Sequence, residues 1–367
     1  MKFLKNFFKY LFLLLIVVAM GMFIFIKAAP QFGAAAEGAR LDRMKTSPQY
    51  SDGTFVNSIH TSMDMSADSI VSTLKEFFSA KNTRPDQPLT TDFSDKKTPL
   101  DSLMHVTWFG HSAVLLEIEG KRILLDPMFG PAASPVPFFA KRFAYREPID
   151  LAQLVNIDAV VISHDHYDHL DYGSIQELNP NVGHFYVPLG VGAHLERWGV
   201  DPAKITELDW WESASAGDLT FTATPQRHFS GRGLTNRNST LWASWVVKGQ
   251  AHSVYFSGDG GYGTHFREIG QRLGPFDLAM IECGQYNVKW KDIHLMPEET
   301  MQAFLDLKGK VLIPIHWGAF NLAVHPWTES VERLNRANTT GAFIATPIIG
   351  TRYPIGTRQP TQNWWEH

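Results

Sequence analysis

The amino-acid sequence predicts an α/β fold in which strands and helices alternate, preceded by one apolar helix at the N-terminus. Three observations lead to this prediction. From Met104 onward, short runs rich in β-branched and aromatic residues alternate with segments of helical periodicity. Several strand-like runs end directly in histidine or aspartate, and mixed α/β folds keep their sites at strand ends. The third observation is an unbroken apolar run from Tyr10 to Ile26.

The composition limits the kind of protein that this chain can be. Its 367 residues are 44% apolar and 19% charged, which is enough for one large domain or two modest ones. The net charge of −4 shows no basic bias, so we do not expect nucleic acid as a partner. The single cysteine, Cys283, excludes an intrachain disulfide and a zinc site built from several thiolates. Any metal would therefore be held by imidazole and carboxylate groups.

Residues 1–30 are predicted to be a membrane anchor. Three lysines precede the apolar run, and as a helix its roughly 17 residues would span ~26 Å, enough for a bilayer core. A cleaved signal peptide is the alternative, since small residues occur at Ala28 and Ala29. Its apolar region would exceed the usual length of roughly 7–15 residues, and Lys27 interrupts the pattern, so we favour an uncleaved anchor. We expect the domain that follows to be extracytoplasmic (periplasmic in a bacterium), although basic residues after the span reduce the charge asymmetry.

Residues 31–98 are predicted to be an extension or linker, and residues 99–367 the main domain. The extension is rich in turn residues and prolines, with one short amphipathic helix in "SADSIVSTLKEFFSA". The domain opens with strands in "AVLLEIE" and "KRILLD", and Glu119-Gly120 is a predicted hairpin turn between them. The later strands are predicted in "DAVVIS", "HFYVPL", "LTFTATP", "WASWVV", "SVYFSGD", "LAMIE" and "KVLIPIH", and the helices in "SIQELN", "GAHLERWG", "HFREIGQRLG", "PEETMQAFLDL" and "SVERLNRA".

The run "VVISHDHYDHLD" predicts a metal site after a buried strand. His164, His166 and Asp168 alternate by two along an extended segment and so tend to share one side, while a following turn would bring His169 beside them. Such clusters can also be solvated loop residues. Four ligand-type residues within six positions at a strand end favour the metal site.

Three further strand ends supply the same residue types, at His228, Asp259 and His316. Taken singly, each has an ordinary explanation, either a capping aspartate or a histidine bonded within the core. Together they complete a set for two metals. One metal would be held by His164, His166 and His228, the other by Asp168, His169 and His316, with Asp259 bridging. Ligands without sulfur suit two Zn²⁺ ions, and Fe and Mn stay open.

The pattern H-x-H-x-D-H with later His, Asp and His resembles the signature of the metallo-β-lactamase superfamily. The phrases "VTWFGHSAVLLE", "ELDWWE", "HLMPEE" and "IHWGAF" are similar to N-acylphosphatidylethanolamine-hydrolysing phospholipase D and its bacterial relatives, over about Val106 to Thr346. The resemblance implies a four-layer αβ/βα sandwich with the metals at one edge, between the two sheets. It also implies that the seven residues above are the metal ligands, and that His294 lines the substrate site.

One stretch, "IECGQYNVKW", departs from the phospholipase pattern, which is more apolar here. Glu282, Gln285 and Asn287 make this neighbourhood polar, which weakens the inference to one particular lipid but leaves the metal chemistry intact. Cys283 is expected to be a small buried residue.

The expected activity is that of a dinuclear zinc hydrolase, a phosphodiesterase of phospholipase D type acting on N-acylphosphatidylethanolamine-like lipids. Two ions ~3.5–4 Å apart would lower the pKa of a bridging water and so supply hydroxide. Asp168 would orient the hydroxide, and His294 would contact the substrate anion or protonate the leaving oxygen. A lactonase or ester hydrolase resembling the ascorbate-phosphate lactonase branch is the alternative. A diiron redox protein is less favoured, because those relatives carry Glu in place of His166 and need a flavin partner domain.

Substrate contacts are predicted at Phe138, Phe139 and Arg227. The two phenylalanines lie in a Pro-rich loop, "DPMFGPAASPVPFFAKRF", which could form a lipid entrance or fold onto its own domain. Arg227, like Arg232, is a candidate phosphate contact near His228, with a solvated loop arginine as the alternative. The expected partners are a phospholipid or another small molecule, and the membrane, while the oligomeric state stays open.

Overall fold

The structure, a computed structural model, describes residues 2–64, 66–94, 103–356 and 363–366. It begins with a 27-residue helix, α1, that buries none of its residues and is apolar and long enough to cross a membrane. The boundary predicted between residues 98 and 99 lies outside the described residues. The elements before it are α1 Lys2–Ala28, α2 Gly38–Lys45, the two-stranded hairpin of β1 Tyr50–Ser51 and β2 Thr54–Phe55, and α3 Ala67–Ser79.

The first half of the domain forms one sheet with two helices. These elements are β3 His105–Trp108, β4 Val114–Ile118, β5 Lys121–Leu125, β6 Ile157–Val161, α4 Tyr172–Leu178, β7 Val182–Pro188, α5 Gly192–Arg197 and β8 Ile205–Leu208. Glu119 and Gly120 form the two-residue turn between β4 and β5, both at positive φ, which confirms the hairpin that the sequence predicts.

The second half forms the other sheet. Its elements are β9 Ser213–Ala216, β10 Leu219–Thr224, β11 Ser244–Lys248, β12 Ser253–Phe256, α6 His265–Arg272, β13 Phe276–Glu282, α7 Pro297–Asp306, β14 Gly309–Ile315, α8 Glu329–Ala337 and β15 Phe343–Ile344. A last strand, β16 Arg352–Pro354, returns to the first sheet. The strand orders are β16-β3-β4-β5-β6-β7-β8 and β15-β14-β13-β12-β11-β10-β9.

The two sheets pack face to face, with helices on the outside. The ring of Tyr186 on β7 stacks on Phe221 of β10 at 4.2 Å between centroids, and the indole of Trp245 on β11 donates to the carbonyl of Ile162. Helix α5 packs beside β8, and α7 packs on β13 and β14. This arrangement confirms the four-layer sandwich, because each sheet buries one face against the other sheet and the opposite face under helices.

The segment predicted to be a linker is packed into the body of the protein. Met44, Phe55 and Leu89 are buried within the main hydrophobic core. The backbone N–H of Phe55 donates to the carbonyl of Asn238, which fastens the β1–β2 hairpin to a loop of the second sheet. The extension therefore differs from a solvated linker in that it contributes apolar surface to the core.

Strand direction explains where polar side chains collect. Strands β5 to β8 are parallel, as are β12 to β15, and β10 runs the same way as β12 because each is antiparallel to β11. The C-terminal ends of these strands therefore lie at one edge of each sheet. Strand β3 is antiparallel to β4, which is antiparallel to β5, so the turn after β3 lies at this edge too.

Candidate metal centre

Three imidazoles meet where β6 and β10 end. The Nε2 of His164 lies 2.8 Å from the Nδ1 of His166, and the Nε2 of His228 lies 3.3 Å from that same Nδ1. His164 and His228 are buried and His166 is half-buried. One ligand atom from each of the three lies within 4.8 Å of the others, so they could hold one metal ion. This is the first group that the sequence predicts.

A second group surrounds the carboxylate of Asp168. Its Oδ2 lies 3.5 Å from the Nε2 of His169 and 3.4 Å from the Nε2 of His316. His111, which the sequence did not indicate, joins this group with its Nε2 at 2.9 Å from the same oxygen. These four residues could hold a second ion.

Asp259 lies between the two groups. Its Oδ2 is 3.0 Å from the Nε2 atoms of His169 and His316 and 4.0 Å from the Nε2 of His228. The fold thus brings all seven sequence-predicted residues together at one edge, with Asp259 in the central position. Their roles as ligands and bridge stay predictions.

Four of the six histidines in the two groups are fixed through their other ring nitrogen, an arrangement typical of metal ligands. In each of these four rings Nδ1 has its own partner. His164 Nδ1 lies 2.9 Å from the hydroxyl of Ser163, His169 Nδ1 lies 2.6 Å from Asp126 Oδ2, His228 Nδ1 lies 2.9 Å from the carbonyl of Ile293, and His316 Nδ1 lies 3.3 Å from Glu282 Oε2. The Nε2 atoms of these four rings are thereby turned toward the centre of the cluster.

The carboxylates of the cluster favour positive charge on the groups around them. Burial lowers the pKa of His164 and His228 well below the usual value, so both are neutral and able to bind a metal. Burial opposes ionisation of Asp259, but His169 and His316 hold its pKa well below the usual value. Although burial opposes protonation of these two histidines, nearby carboxylates, above all Asp259, raise their pKa. The carboxylates that raise these pKa values would favour a bound cation in the same way.

Two buried atoms test whether the residues fit a metal. Among the described residues, Asp259 Oδ1 is buried without a hydrogen-bond partner, and His169 Nε2 makes no aligned hydrogen bond although it lies 3.0 Å from Asp259 Oδ2. Leaving buried polar atoms unsatisfied is costly, and native structures rarely do so without a ligand or ion at the site. Both atoms belong to the proposed ligand set, so the residues present fit a pair of divalent ions.

His294 lies at the rim of the cluster. Its Nδ1 is 2.8 Å from Glu282 Oε2, and its ring is 5.2 Å from that of His228 and 5.1 Å from that of His316, between centroids. Glu282 is fully buried and also accepts hydrogen bonds from the backbone N–H groups of Gly260 and Leu295. The polar stretch that departs from the phospholipase pattern thus supplies a carboxylate that orients both His294 and His316.

Sequence reasoning missed several residues that support the site. His111 lies in the turn between β3 and β4, and its presence there was visible in the motif "WFGHSA". The carboxylate of Asp126, directly after β5, accepts from the backbone N–H of Ser163 at 2.7 Å. Asn57, in the extension, bonds both the N–H and the carbonyl of His228. No local pattern marks Asn57, because it reaches the site only through the packing of the extension.

The predicted substrate contacts differ in their exposure and in their existing bonds. Phe138 and Phe139 are exposed on their loop. The Arg227 guanidinium pairs with Asp292 at 2.9 Å and donates to the carbonyls of His60 and Tyr262, so a substrate contact would require some of these bonds to break. Its role stays a prediction.

Arg232 is not a solvated loop residue. It is buried, and its guanidinium donates to the backbone carbonyls of Asp165, Leu170 and Gln31 and lies 4.2 Å from the centroid of the Tyr167 ring. These bonds hold the metal-binding loop in place, and they leave the guanidinium engaged within the protein rather than available to a phosphate.

A cavity of about 800 Å³ lies away from the cluster, beside Gly120 and Gly183 at the N-terminal ends of β5 and β7. None of the cluster residues lines it. The site that the sequence predicts therefore lies at the opposite ends of the strands from this cavity.

The comparisons with known proteins agree with this geometry. Residues 121–317 match the family model described as the Beta-lactamase superfamily domain. An uncharacterised protein of Mycobacterium tuberculosis is 43% identical over 326 residues, which cover 87% of each chain. N-acyl-phosphatidylethanolamine-hydrolyzing phospholipase D 1 of Caenorhabditis elegans is 35% identical over 233 residues, covering 60% of this chain and 65% of the nematode protein.

A solved structure agrees at the level of the fold. Igni18, a metallo hydrolase from the archaeon Ignicoccus hospitalis, superposes with a TM-score of 0.53 at 19% identity, covering 70% of this chain and 99% of that one. The matched residues 121–317 span the H-x-H-x-D-H run and the strand ends that carry His228, Asp259 and His316. The chain belongs to the β-lactamase superfamily and is a metal-dependent hydrolase of that fold.

Proposed function

We propose that this chain is a dinuclear zinc phosphodiesterase of phospholipase D type that acts on N-acylphosphatidylethanolamine-like phospholipids. The observation that carries the proposal is the position of Asp259 Oδ2 between the two ligand groups, 3.0 Å from His169 and His316 and 4.0 Å from His228. The similarity to the nematode phospholipase supports the substrate class.

His164, His166 and His228 would hold one ion, and Asp168, His169 and His316 the other, with Asp259 shared. His111 is a further candidate for the second group. Nitrogen and oxygen ligands without sulfur favour zinc over softer metals. When bound, such a pair supplies an activated water near neutral pH and stabilises negative charge on a phosphoryl oxygen.

The protein's own groups would orient the substrate and move protons. The carboxylate of Glu282 accepts the Nδ1 proton of His294, which fixes that ring and leaves Nε2 as the nitrogen that can contact the substrate. As an imidazolium, His294 would donate a hydrogen bond from Nε2 to a phosphate oxygen or donate that proton to the leaving oxygen. Asp168 would accept a hydrogen bond from the attacking water and so align it with the phosphorus.

The N-terminal helix supports access to a lipid substrate. We infer that α1 is an uncleaved membrane anchor that keeps the catalytic domain at the bilayer surface, on the extracytoplasmic side. The exposed side chains of Phe138 and Phe139 would then contact the acyl chains of a lipid entering the site. Polar substrates would gain little from either feature.

A substrate panel tests the proposal. The purified full-length protein, in lipid–detergent mixed micelles, is assayed against a long-chain N-acylphosphatidylethanolamine, a soluble phosphodiester and a lactone. We expect phosphatidic acid and N-acylethanolamine from the lipid, at a kcat/KM well above that for the lactone. Rapid lactone opening with no cleavage of either phosphodiester would replace the proposal with the lactonase alternative.

A further inference from the structure

Helix α3 turns its apolar side away from the protein. Ile70, Val71, Leu74, Phe77 and Phe78 are all exposed, and at 100° per residue they occupy an arc of about 120°. A helix on the surface of a globular domain normally buries this side. Here the amphipathic pattern is present but inverted.

The polar side of α3 makes the contacts that attach the helix to the domain. Ser69 is buried, and the ammonium group of Lys289 bonds both the Thr73 hydroxyl at 3.1 Å and Glu76 Oε1 at 2.7 Å. These bonds hold the helix with its apolar arc outward. The orientation is therefore fixed by specific contacts rather than by loose packing.

The same kind of exposure recurs around the edge that carries the metal cluster. Outside α1, five large apolar side chains in the described part of the chain are more than 60% exposed, with values from 66% to 91%. They lie on α3 and on three loops. We call them the apolar ring: Phe78, Phe138, Phe139, Leu234 and Val288.

Three members of the ring, Phe138, Phe139 and Leu234, lie on loops that are bonded to the segment just after α1. The Gln31 side chain, three residues after that helix, donates to the carbonyl of Pro135 on the loop of Phe138 and Phe139 at 3.0 Å. The Gln31 carbonyl accepts from Arg232 at 2.9 Å, two residues before Leu234. The exposed loops are thus bonded directly to the segment that leaves the membrane helix.

The remaining members are connected to the same edge through α3. Val288 is adjacent to Lys289, the residue that holds α3, and lies between Glu282 and His294 of the cluster. After α3, Arg84 donates to the carbonyl of Lys141 at 2.9 Å and so joins the Phe138 loop from its other side. The segments that carry the apolar ring and the α3 arc are therefore bonded to one another or to the segment after α1.

We propose that the apolar arc of α3 and the apolar ring are a membrane-contact surface, which lies in the lipid headgroup and acyl boundary of the bilayer that α1 crosses. A lipid surface accounts for apolar side chains on four separate segments around one helix end, whereas a second copy of the chain would have to match all four at once. The inference rests on the anchor in the proposed function, but it does not depend on which bond the enzyme hydrolyses.

A lipid-quenching experiment tests this surface. The full-length protein carries Phe78→Cys or Leu74→Cys, each labelled with an environment-sensitive fluorophore, and is reconstituted in phosphatidylcholine and phosphatidylglycerol vesicles. The native Cys283 is fully buried, so labelling is confined to the introduced thiol. Ser79→Cys, exposed on the other side of the same helix, is the matched control, and Val17→Cys in α1 reports insertion.

We expect lipids with brominated acyl chains to quench the labels at 74 and 78 about threefold more strongly than the label at 79. The labels at 74 and 78 should also emit at shorter wavelength in the folded protein in vesicles than in protein that has been denatured in detergent-free buffer. Metal content equal to that of the unmodified protein shows that each labelled variant is folded.

Three results would overturn the inference. Equal, weak quenching at positions 74, 78 and 79 would show that α3 does not contact lipid. Cross-linking of Phe78→Cys to itself between chains, without quenching, would assign the surface to a second copy. Absence of quenching at position 17 would remove the anchor on which the inference rests. Because the measurement does not use turnover, an error in the proposed substrate would leave it unchanged.

Discussion

Glu282, which is buried, and His294, which is half-buried, form a carboxylate–imidazole pair with 2.8 Å between Oε2 and Nδ1. The same oxygen lies 3.3 Å from the Nδ1 of His316, so one carboxylate orients a proposed metal ligand and a proposed substrate contact. Glu282 therefore connects the proposed metal binding with the proposed substrate contact.

Glu282→Gln should lower turnover and metal affinity by about 10–100-fold, because an amide has one acceptor oxygen and cannot accept from the two rings and also from the N–H groups of Gly260 and Leu295. The measurement is kcat together with metal retained after dialysis against a chelator. Glu329→Gln is the matched control, since Glu329 bonds Tyr286 outside the cluster and should change neither. Normal turnover and metal retention in Glu282→Gln would remove the orienting role.

His294→Ala should reduce turnover by about 100-fold or more while leaving the metal content unchanged, because its proposed role is contact with the substrate. His60→Ala, at an exposed histidine, is the control. Loss of metal in His294→Ala would instead make His294 a ligand, a role that its position within reach of Asp259 and His316 would allow.

Phe138→Ser combined with Phe139→Ser should impair hydrolysis of a long-chain lipid roughly 100-fold or more, since burying each phenylalanine against the acyl chains would contribute roughly 1.5–3 kcal/mol. Turnover of a soluble short-chain phosphodiester should change little. Val155→Ser, beside the cavity at the other ends of the strands, should affect neither substrate. Equal losses on both substrates in the double variant would point to a disrupted loop, and no loss on either would remove the lipid entrance.

The anchor is tested by placing charge within α1. Leu14→Lys combined with Val18→Lys should move the protein from the membrane pellet to the supernatant in an alkaline wash, because each lysine costs roughly 2.5–3.5 kcal/mol at the centre of a span. Leu14→Ala with Val18→Ala should stay in the pellet. A native protein found in the supernatant, with an N-terminus beyond Ala29, would establish a cleaved signal peptide.

Local pattern was sufficient to predict most of the fold. Strands such as Phe276–Glu282 have continuous apolar sequences because both faces are buried, and the Glu119-Gly120 turn has the residues that a two-residue hairpin requires. The seven cluster residues were predictable because each follows, directly or within a few positions, a strand whose sequence is unmistakably buried.

The rest depends on contacts between distant segments. Asn57 reaches His228 across 171 positions, and nothing near it in the sequence marks that contact. The apolar periodicity of α3 was visible, but the side it buries was not, because Lys289 holds the polar side from 213 positions beyond Glu76. His111 could have been predicted if the strand directions had been known, because they place the turn after β3 at the edge that carries the site.

The metal content of Asp259→Ala tests the central claim most directly. The unmodified full-length protein should contain two divalent ions per chain, with zinc predominating, by inductively coupled plasma mass spectrometry. Removing the carboxylate that lies between the two groups should deplete both ions and reduce turnover by orders of magnitude, whereas Asp150→Ala, at an exposed aspartate, should do neither. An Asp259→Ala protein that keeps two ions and near-normal turnover would contradict the shared metal centre.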